Sequence, residues 1–592
     1  MKSFFKTTLA AALGVILASI LCGILGIWML SALISSTSQE VVLEENSILK
    51  VPLNGSVVEY GNGDDTFGGL AGIVNGDEEE TLGLNEIRQA IKRAAKDDNI
   101  KGIYLKTGIL QGGPASFEEI RQALLEFKQS GKFIYAYIEQ VCEQGAYYIS
   151  SVADTIMMNP QGSVGFYGMS ATPVFYTDVL KKFGVKPQVF KVGTYKSAVE
   201  PYINTKMSDA NREQTLSYMN SIWNNMLGDI SASRGLSKEE LNRIADDFLI
   251  LKEASCAVEC GLIDSLCYVP DMKDFLASKV GVASKDLKLV SVRNLNSITE
   301  TDIKYQPDKI AVMYAAGQIY DKSSGIRGGG AEEIVYNPVI KELKELQEDK
   351  SIKAVVLRVN SPGGSAFASE QICQVVKELK KVKPVVVSMG TYAASGGYYI
   401  SSNADSIIAS PTTLTGSIGI FGLNFNASEL FQKIGLHYDM VKTNRYSDFG
   451  NFMREMTPGE KALMQQNIER GYELFTSRCA EGRHMDVKDI KKVAEGRVWT
   501  GEQALALGLV DKLGYLDDAI EMAAAMAKVE DYAVVSYPKQ KDTLTALLES
   551  LSGETEDLLL SSKPGIKLSK FVKELERGTG TMALMPYTLD IN

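Results

Sequence analysis

The chain has 592 residues, of which 45% are hydrophobic and 23% are charged, a balance typical of globular proteins. At this length, two or more core-forming units are expected. Its 62 basic and 73 acidic residues give a net charge of −11, which argues against a nucleic-acid partner because phosphates require a basic surface.

The N-terminus has the composition of a membrane segment. Lys2 and Lys6 precede a stretch without charge at 7–39, and residues 9–34 are dense in Leu, Ile, Ala and Gly. Such a run is long enough to cross a bilayer, whereas the apolar region of a cleaved signal peptide, the alternative, would be shorter. We therefore predict an uncleaved signal anchor at 1–39, with the N-terminus in the cytoplasm and the body outside.

The rest of the chain contains one domain twice. QGAYYIS at 144–150 returns as SGGYYIS at 395–401, an offset of 251 residues that also relates Gly112-Gly113 to Gly363-Gly364. The GSVG at 162 returns as GSIG at 416, which is 254 residues later. The period is too long for a solenoid. The predicted division is a first copy at 40–290, a linker at 291–308, a second copy at 309–535 and a tail at 536–592.

Each copy has the pattern of an α/β layered domain, in which short β-branched runs alternate with helical patterns. The second copy is predicted to have strands at 353–360 and 384–389, a helix between them, and a helix at 393–404. In the first copy, the same order predicts the following elements: strands at 100–106 and 133–138, with a helix at 116–129 between them.

Ser395 is the first candidate for chemistry. It follows a strand and precedes two glycines at the start of a helix, where helix amides favour developing negative charge. An ordinary helix cap is the alternative. In NSPGGS at 360–365, the N–H groups of Gly363 and Gly364 are candidates for holding an oxyanion. An ordinary turn is the alternative there, although it accounts for one glycine better than for two.

A serine nucleophile needs a general base, and histidine is a poor candidate here. The chain has two histidines, His437 at the start of a strand-like segment and His484 in a charged helical stretch. Lys196 lies among apolar and small residues in KVGTYKSAVEP at 191–201, and burial there would lower its pKa so that it could act as a base. A solvated loop lysine is the alternative.

The two copies complement one another at these positions. Opposite Ser395 the first copy has Gln144, and opposite Lys196 the second copy has Ser447. Each copy lacks what the other holds, as expected after a gene duplication followed by division of labour. Since the serine and the lysine are in different domains, only domain packing can bring them together, within one chain or between neighbouring chains.

Neither a disulfide framework nor a metal site is indicated. Cys256, Cys260 and Cys267 are close enough in sequence for a disulfide, but their spacing matches no framework. With two histidines in the chain, a zinc site is not expected. We expect mostly buried free thiols and no cofactor. The other cysteines are Cys22, Cys142, Cys373 and Cys479.

GTYKSAVEP, NSPGG, TYAASGGYYIS and TLTGSIGIFG, after an N-terminal anchor, closely resemble the long, tandem-repeat form of the signal peptide peptidase A family, also called protease IV. This resemblance implies an α/β fold of two tandem Clp protease/crotonase-like domains after an N-terminal transmembrane helix. It also implies a Ser-Lys dyad without histidine, in which Ser395 is the nucleophile and Lys196 the base. Ser417 matches a position whose hydroxyl orients the lysine.

The same resemblance implies a homotetrameric dome at the bacterial inner membrane, anchored in the lipid bilayer by the N-terminal helix, with the catalytic body on the periplasmic side. Its substrates would be hydrophobic peptides, in particular signal peptides left in the bilayer after their release from preproteins. The tail, with MALMPY at 582–587, lies outside the resemblance, and it is expected to form an edge strand or an oligomer contact.

Two other functions fit parts of the pattern. A crotonase-like acyl-CoA enzyme would share the oxyanion turn, but it would need neither Ser395 nor Lys196, and a membrane anchor would be unusual for it. A catalytically silent membrane scaffold would use the duplicated domain only for assembly. Labelling with a serine-reactive fluorophosphonate or a lactone inhibitor would separate the three, and the distance between Ser395 Oγ and Lys196 Nζ is the most informative structural observation.

Overall fold

The computed structural model describes residues 43–60, 81–298, 306–322, 333–539 and 580–585, together with the single positions Gly14 and Leu21. The predicted signal anchor at 1–39 lies, apart from those two positions, outside the described residues. Within the described ranges, no helix is long and apolar enough to cross a membrane.

The first half of the chain alternates strands and helices. Its strands are β1 (Ser47–Val58), β2 (Thr81–Gly83), β3 (Ile100–Gln111), β4 (Phe133–Ile138), β5 (Val141–Cys142), β6 (Thr155–Met158), β7 (Ser163–Val164), β8 (Lys186–Lys191), β9 (Ser265–Leu266) and β10 (Leu289–Ser291). Its α-helices are α1 (Leu84–Lys96), α2 (Pro114–Lys128), α3 (Gln144–Ser150), α4 (Thr177–Phe183), α5 (Glu200–Ile203), α6 (Asp209–Arg234), α7 (Lys238–Asp246), α8 (Ala254–Glu259), α9 (Val269–Val280) and α10 (Val292–Ser297), with 3-10 turns at Leu249–Leu251 and Ser284–Asp286.

The second half has the same character. Its strands are β11 (Lys309–Ala316), β12 (Gln318–Tyr320), β13 (Glu333–Val335), β14 (Ile352–Ser361), β15 (Gly363–Ser365), β16 (Val385–Ala394), β17 (Ser406–Ala409), β18 (Leu414–Gly416), β19 (Phe421–Asn426), β20 (Val498–Thr500), β21 (Lys512–Leu513), β22 (Ala533–Tyr537) and β23 (Gly580–Leu584). Its α-helices are α11 (Tyr336–Glu348), α12 (Ala366–Leu379), α13 (Gly396–Ser401), α14 (Ser428–Lys433), α15 (Pro458–Arg483), α16 (Val487–Val493), α17 (Gly501–Ala506) and α18 (Leu516–Ala527).

The two halves build the same parallel sheet. In the first, β1, β3, β4, β6 and β9 are neighbours in that order, and in the second β11, β14, β16, β17 and β21 follow the same order. The central strands are mostly apolar and buried because helices cover both faces of such a sheet, and their apolar side chains contribute to two separate main cores. The tandem α/β architecture predicted from the repeat is confirmed.

A third sheet joins the halves and has the order β13-β12-β15-β23-β19-β8. Strand β8 from the first half pairs antiparallel with β19 from the second, with Lys191 opposite Phe421. The tail contributes β23, which lies between β15 and β19 and is therefore an interior strand. The expectation of an edge strand in the tail is wrong, because both of its sides find partners.

Elements also extend past the predicted domain limits. Helix α10 begins inside the predicted linker at 291–308, and its Leu295 is fully buried in the first core. Strand β22 crosses the predicted end of the second copy at 535 and pairs with β11. Packing against the first core holds α10, and strand pairing holds β22. The polar composition of 291–308 does not predict the buried helix.

A buried ionic cluster also holds the halves together. Arg358 Nε lies 2.8 Å from Glu59 Oε2, and Arg358 Nη1 lies 2.5 Å from Glu119 Oε1. Arg88 lies beside Glu119 and contacts Asp517, with Nη2 2.5 Å from Oδ2. Glu59, Arg88 and Glu119 belong to the first half, whereas Arg358 and Asp517 belong to the second. Glu59, Glu119 and Arg88 therefore gain their partners Arg358 and Asp517 only when the halves are packed together.

Candidate active site

Ser395 occupies the sharp turn between β16 and α13. Its backbone φ of 55° and ψ of −110° lie in a region whose cost for a non-glycine residue is on the order of 1–3 kcal/mol. Its N–H donates to Gly416 O at 2.8 Å, which holds the turn, and the side chain is buried. In the first half, Gln144 lies within α3 and Glu143 before it has an ordinary φ of −73°. The strained turn accompanies the serine.

Lys196 is brought to this turn by the pairing of β8 with β19. The chain leaves β8 at Lys191, and five residues later Lys196 Nζ lies 2.8 Å from Ser395 Oγ. Both side chains have no exposed surface. The structure therefore brings the predicted serine and lysine into hydrogen-bond contact, and it does so within one chain.

Two further acceptors surround the lysine amine, both from Ser417. Lys196 Nζ lies 3.1 Å from Ser417 O and 3.1 Å from Ser417 Oγ. The Ser417 hydroxyl in turn donates to Gly496 O at 3.3 Å. A neutral amine has two N–H donors and one lone pair, so the two Ser417 oxygens can take the donors while the lone pair faces Ser395 Oγ–H.

The lysine environment favours that neutral form. Burial lowers the pKa of Lys196 well below the ordinary lysine value because the charged form is desolvated. The dominant effect is thus removal of water rather than a neighbouring charge. A buried amine with a free lone pair is suited to accept a proton.

Glycines make room for the lysine stem. A Cβ built on Gly496, whose φ is +79°, would lie 2.7 Å from Lys196 Cα, and one on Gly419 would lie 3.2 Å from Lys196 Cδ. A Cβ on Gly193 would lie 2.4 Å from Glu495 O. These contacts were not anticipated from the sequence, because Gly496 and Lys196 are far apart in the chain. The GSIG motif at 416–419, which contains Gly419, is the one sequence signal that points to this part of the site.

A buried polar network fixes the backbone that carries Lys196. Ser197 Oγ donates to Asn211 Oδ1 at 2.9 Å, and Gln214 Nε2 donates to Ser197 Oγ at 2.9 Å. Asn211 Nδ2 also donates to Glu200 Oε2 at 3.1 Å. These residues touch the loop rather than the reacting atoms, so they act as positioning residues. Glu200 lies four residues after Lys196 in the KSAVEP motif at 196–201. This proximity in sequence is the signal from which its positioning role could have been inferred.

The glycine turn lies against the serine, as its sequence position predicts. Cβ atoms are excluded at both glycines, since one on Gly364 would lie 2.0 Å from Ile319 O and one on Gly363 would lie 2.7 Å from Gly396 N. Gly363 N–H donates to Ser361 Oγ at 3.2 Å, the long end of the range for such bonds. Gly396, the first residue of α13, adds an amide of the first helical turn, which has no intrahelical acceptor.

The repeat equivalents of the two site residues, Gln144 in the first half and Ser447 in the second, do not form a second site in the chain. Gln144 is buried, and its Oε1 accepts from the N–H groups of Tyr167 and Gly168 at 3.1 and 2.9 Å. Ser447 is exposed and donates to Asn444 O at 2.9 Å within its own turn. The glutamine amide satisfies the backbone of a loop.

The remaining candidates for acid–base or metal chemistry lie elsewhere. His437 and His484 are exposed, whereas the Ser395–Lys196 pair is buried. The strand-like segment beginning at His437 forms no strand, which corrects that expectation. Among the described residues, no group of three or more His, Cys, Asp or Glu side chains is arranged to hold a metal. The six cysteines of the described ranges are free thiols, of which Cys142, Cys373 and Cys479 are buried and Cys256, Cys260 and Cys267 are partly exposed.

Comparison with known proteins gives matches in both halves. Residues 126–283 and 377–530 match Peptidase family S49, and residues 311–413 match the Clp protease family. Protease 4 of Salmonella typhi is 36% identical over 549 residues, which cover 90% of this chain and 86% of the relative. Protease 4 of Haemophilus influenzae is 35% identical over 82% of this chain and 81% of the relative. Serine protease SPPA, chloroplastic, of Arabidopsis thaliana is 32% identical over 80% of this chain and 70% of that relative.

Proposed function

The chain belongs to peptidase family S49 and is a serine peptidase, and from this premise we propose that Ser395 is its nucleophile and Lys196 its general base. The observation that carries the proposal is the 2.8 Å distance between Ser395 Oγ and Lys196 Nζ in a buried site. Membership of this family favours a serine peptidase over the two alternatives, the acyl-CoA enzyme and the silent scaffold.

The first half of the reaction forms an acyl-enzyme. Neutral Lys196 accepts the proton of Ser395 Oγ–H while Oγ attacks the carbonyl carbon of the scissile peptide bond. The resulting oxyanion is held by backbone amides of the Gly363-Gly364 turn and of Gly396, and the Gly363 amide exchanges its bond to Ser361 for the oxyanion. The protonated Lys196 then gives its proton to the leaving nitrogen as the C–N bond breaks.

The second half of the reaction restores the enzyme. Water, deprotonated by Lys196, attacks the ester carbonyl, and the proton returns from Lys196 to Ser395 Oγ as the peptide acid leaves. Ser417 keeps the amine aimed at Ser395 through both steps by accepting its N–H groups. No other acid–base group is required, because the same lysine serves in both directions.

Apolar residues next to the lysine support the proposed substrate class. Ala198 and Val199, directly after the lysine loop, pack with Phe421 and Leu423 in an apolar cluster. An apolar environment of this kind would favour extended peptides with apolar side chains at the site. Together with the predicted anchor at 1–39, it supports the degradation of remnant signal peptides released from preproteins, a peptide class that is apolar and lies in the bilayer.

The substrate proposal is tested with the full chain in phospholipid vesicles. A synthetic signal peptide with a basic start and an apolar run is compared with a polar peptide of equal length, and the products are identified by mass spectrometry. We expect cleavage within the apolar run and none by Ser395→Ala. Equal or faster cleavage of the polar peptide would reject the proposed substrate class while leaving the peptidase intact.

The pH dependence of the rate follows from the lowered pKa of Lys196. Only the neutral amine can accept a proton, so kcat/KM is expected to rise with pH, about tenfold per pH unit below a pKa that lies well under the ordinary value of about 10.4. The profile is measured on a short apolar peptide. A rate that stays constant from mildly acidic to alkaline pH would contradict lysine as the base. Lys206→Ala, which alters an exposed lysine, is the control and should have the same pH profile as the parent.

We further propose that chains assemble head to tail into a closed homotetramer on the periplasmic face of the bacterial cytoplasmic membrane. Strand β8 of the first half docks on β19 of the second half of the same chain. The repeat equivalents of these two strands are 437–442 and 167–172, and neither segment forms a strand in the chain. Each chain thus has an unfilled donor at one end and an unfilled acceptor at the other, an arrangement that closes into rings.

Exposed apolar side chains support this contact. Near the donor they include Ile434, Leu436, Val441, Phe449 and Phe452, and near the acceptor they include Tyr167, Val174, Tyr176, Val179 and Phe183. Several large apolar side chains left exposed in the same segment are typical of an interaction site.

Val441→Asp tests the assembly, because Val441 is 97% exposed in the single chain and would be covered in the ring. We expect the full chain in detergent to have the mass of a tetramer by light scattering, and Val441→Asp to form smaller species. Val382→Asp, at another exposed valine, should leave the mass unchanged. A monomeric parent chain, or a tetramer that survives Val441→Asp, would reject the head-to-tail contact.

A further inference from the structure

The proposed mechanism leaves one element of the site unused, the tail strand β23. It pairs antiparallel with β15 on one side and β19 on the other, with Ala583 opposite Gly364 and Met582 opposite Phe421. If β23 were removed, the facing edges of β15 and β19 would present unpaired N–H and C=O groups. Two such edges form a slot that accepts one extended peptide strand.

Strand β23 also places a peptide carbonyl against the glycine turn and the residue that follows the nucleophile. Ala583 O lies 2.1 Å from the position of a Cβ built on Gly363 and 3.1 Å from that of a Cβ on Gly396, the residue after Ser395. The absence of side chains at both glycines permits this approach. A carbonyl in contact with the glycine turn and with the residue after the nucleophile lies where the backbone of a substrate must pass.

The side chains of β23 and of the next residue cover apolar surface around the site. Met582 packs in the cluster of Ala198 and Val199, which follow Lys196 closely in the chain. Ala583 has no exposed surface, and Met585 is 4% exposed. Met585 N–H also donates to Pro362 O at 2.8 Å, so the tail is anchored on both sides of Ala583.

The result is a closed site. Ser395, Lys196 and Ser417 all have zero exposed fraction while β23 is in place. Attack on a substrate requires its carbonyl carbon to contact Ser395 Oγ, so the closed arrangement has to open before a peptide is cleaved. Since β23 belongs to the same chain, it competes with a free peptide at an effective concentration on the order of millimolar.

We propose that β23 occupies the substrate groove of its own chain, and that an extended apolar peptide must displace it and pair with β15 and β19 in its place. This inference rests on the proposed function of Ser395 and adds a self-occupied state to it. The occupant indicates the chemistry of the displacing strand, with a small residue at the position of Ala583 between larger apolar residues.

The test uses the full chain with Ser395→Ala, so that hydrolysis plays no part. A fluorescent peptide with the tail sequence GTMALMPY is titrated against this protein and against the same protein with Ala583→Arg, and binding is followed by anisotropy. Because the arginine cannot be buried where Ala583 lies, we expect the tail to leave and the peptide to bind roughly ten-fold or more tightly. Ala525→Arg, at an exposed helix position, is the matched control and should bind like the parent.

Equal affinity in Ala583→Arg and its parent, with both proteins folded, would overturn the proposal. If Ala583→Arg does not fold, Met582→Ala replaces it with the same expected direction and the same contradicting result. A second measurement, with Ser395 restored, should show kcat/KM for a short apolar peptide rising in the tail variant. Tighter binding without any hydrolysis would retain the self-occupied groove and reject the proposed peptidase role of Ser395, so the two failures are distinguishable.

Discussion

Ser395→Ala and Lys196→Ala should each lower the rate of peptide hydrolysis by about 10³-fold or more while the protein stays folded. The serine variant loses the attacking oxygen, and the lysine variant loses the group that takes its proton at 2.8 Å. The two losses should not add, because the residues act as a unit. Initial rates with an apolar fluorogenic peptide, together with melting curves, measure both effects.

Exposed residues of the same types supply the controls for this experiment. Lys206→Ala and Ser447→Ala alter a lysine and a serine outside the buried site and should retain full activity. Gln144→Ser should add none, since its lysine would have to come from the second half, where Ser447 occupies the equivalent position. Substantial residual turnover in either Ser395→Ala or Lys196→Ala would reject the proposed dyad.

Arg358→Met is expected to destabilise the protein by on the order of 3–5 kcal/mol. Arg358 is 1% exposed and compensates Glu59 and Glu119, which are 3% and 2% exposed. Removal of the arginine leaves two carboxylates of the other half buried without that partner. The effect should appear as a lower midpoint of thermal or urea unfolding, and the separation of the two halves should accompany it.

The size of this effect depends on unpaired charge rather than on lost volume. Arg358→Met combined with Glu59→Gln and Glu119→Gln should therefore recover most of the stability, because no uncompensated carboxylate remains. Arg212→Met, at an exposed arginine, should change the midpoint little. If the triple variant is as unstable as Arg358→Met alone, the ionic explanation is wrong and packing accounts for the loss.

Local patterns predicted the repeated core well. The strand predicted at 133–138 is β4, and the one predicted at 353–360 lies within β14. In contrast, the helix predicted from 393 begins at Gly396, because Ala393 and Ala394 pair with β18 and continue β16. Pairing with a distant strand decides such an end, and periodicity does not contain that information.

The site likewise has features that the sequence predicts and features that only contacts between distant segments decide. The complementary pair of Ser395 and Lys196 was accessible because the repeat aligns each position with its replaced counterpart. Gly496, whose missing side chain makes room for Lys196, comes from a loop 300 residues later, with no periodic signal. The interior strand β23 lies in the tail, outside the sequence repeat, so only the three-dimensional pairing reveals it. The segment at 437–442 aligns with β8 in the repeat but forms no strand and finds no partner strand among the described residues.

The most direct test of the central claim is labelling of the full chain with a fluorophosphonate, followed by identification of the modified residue by peptide mapping. We predict modification of Ser395, with a rate that rises with pH and falls strongly in Lys196→Ala. A label on another residue, or a label on Ser395 whose rate is the same in Lys196→Ala, would contradict the assignment of these two residues as nucleophile and base.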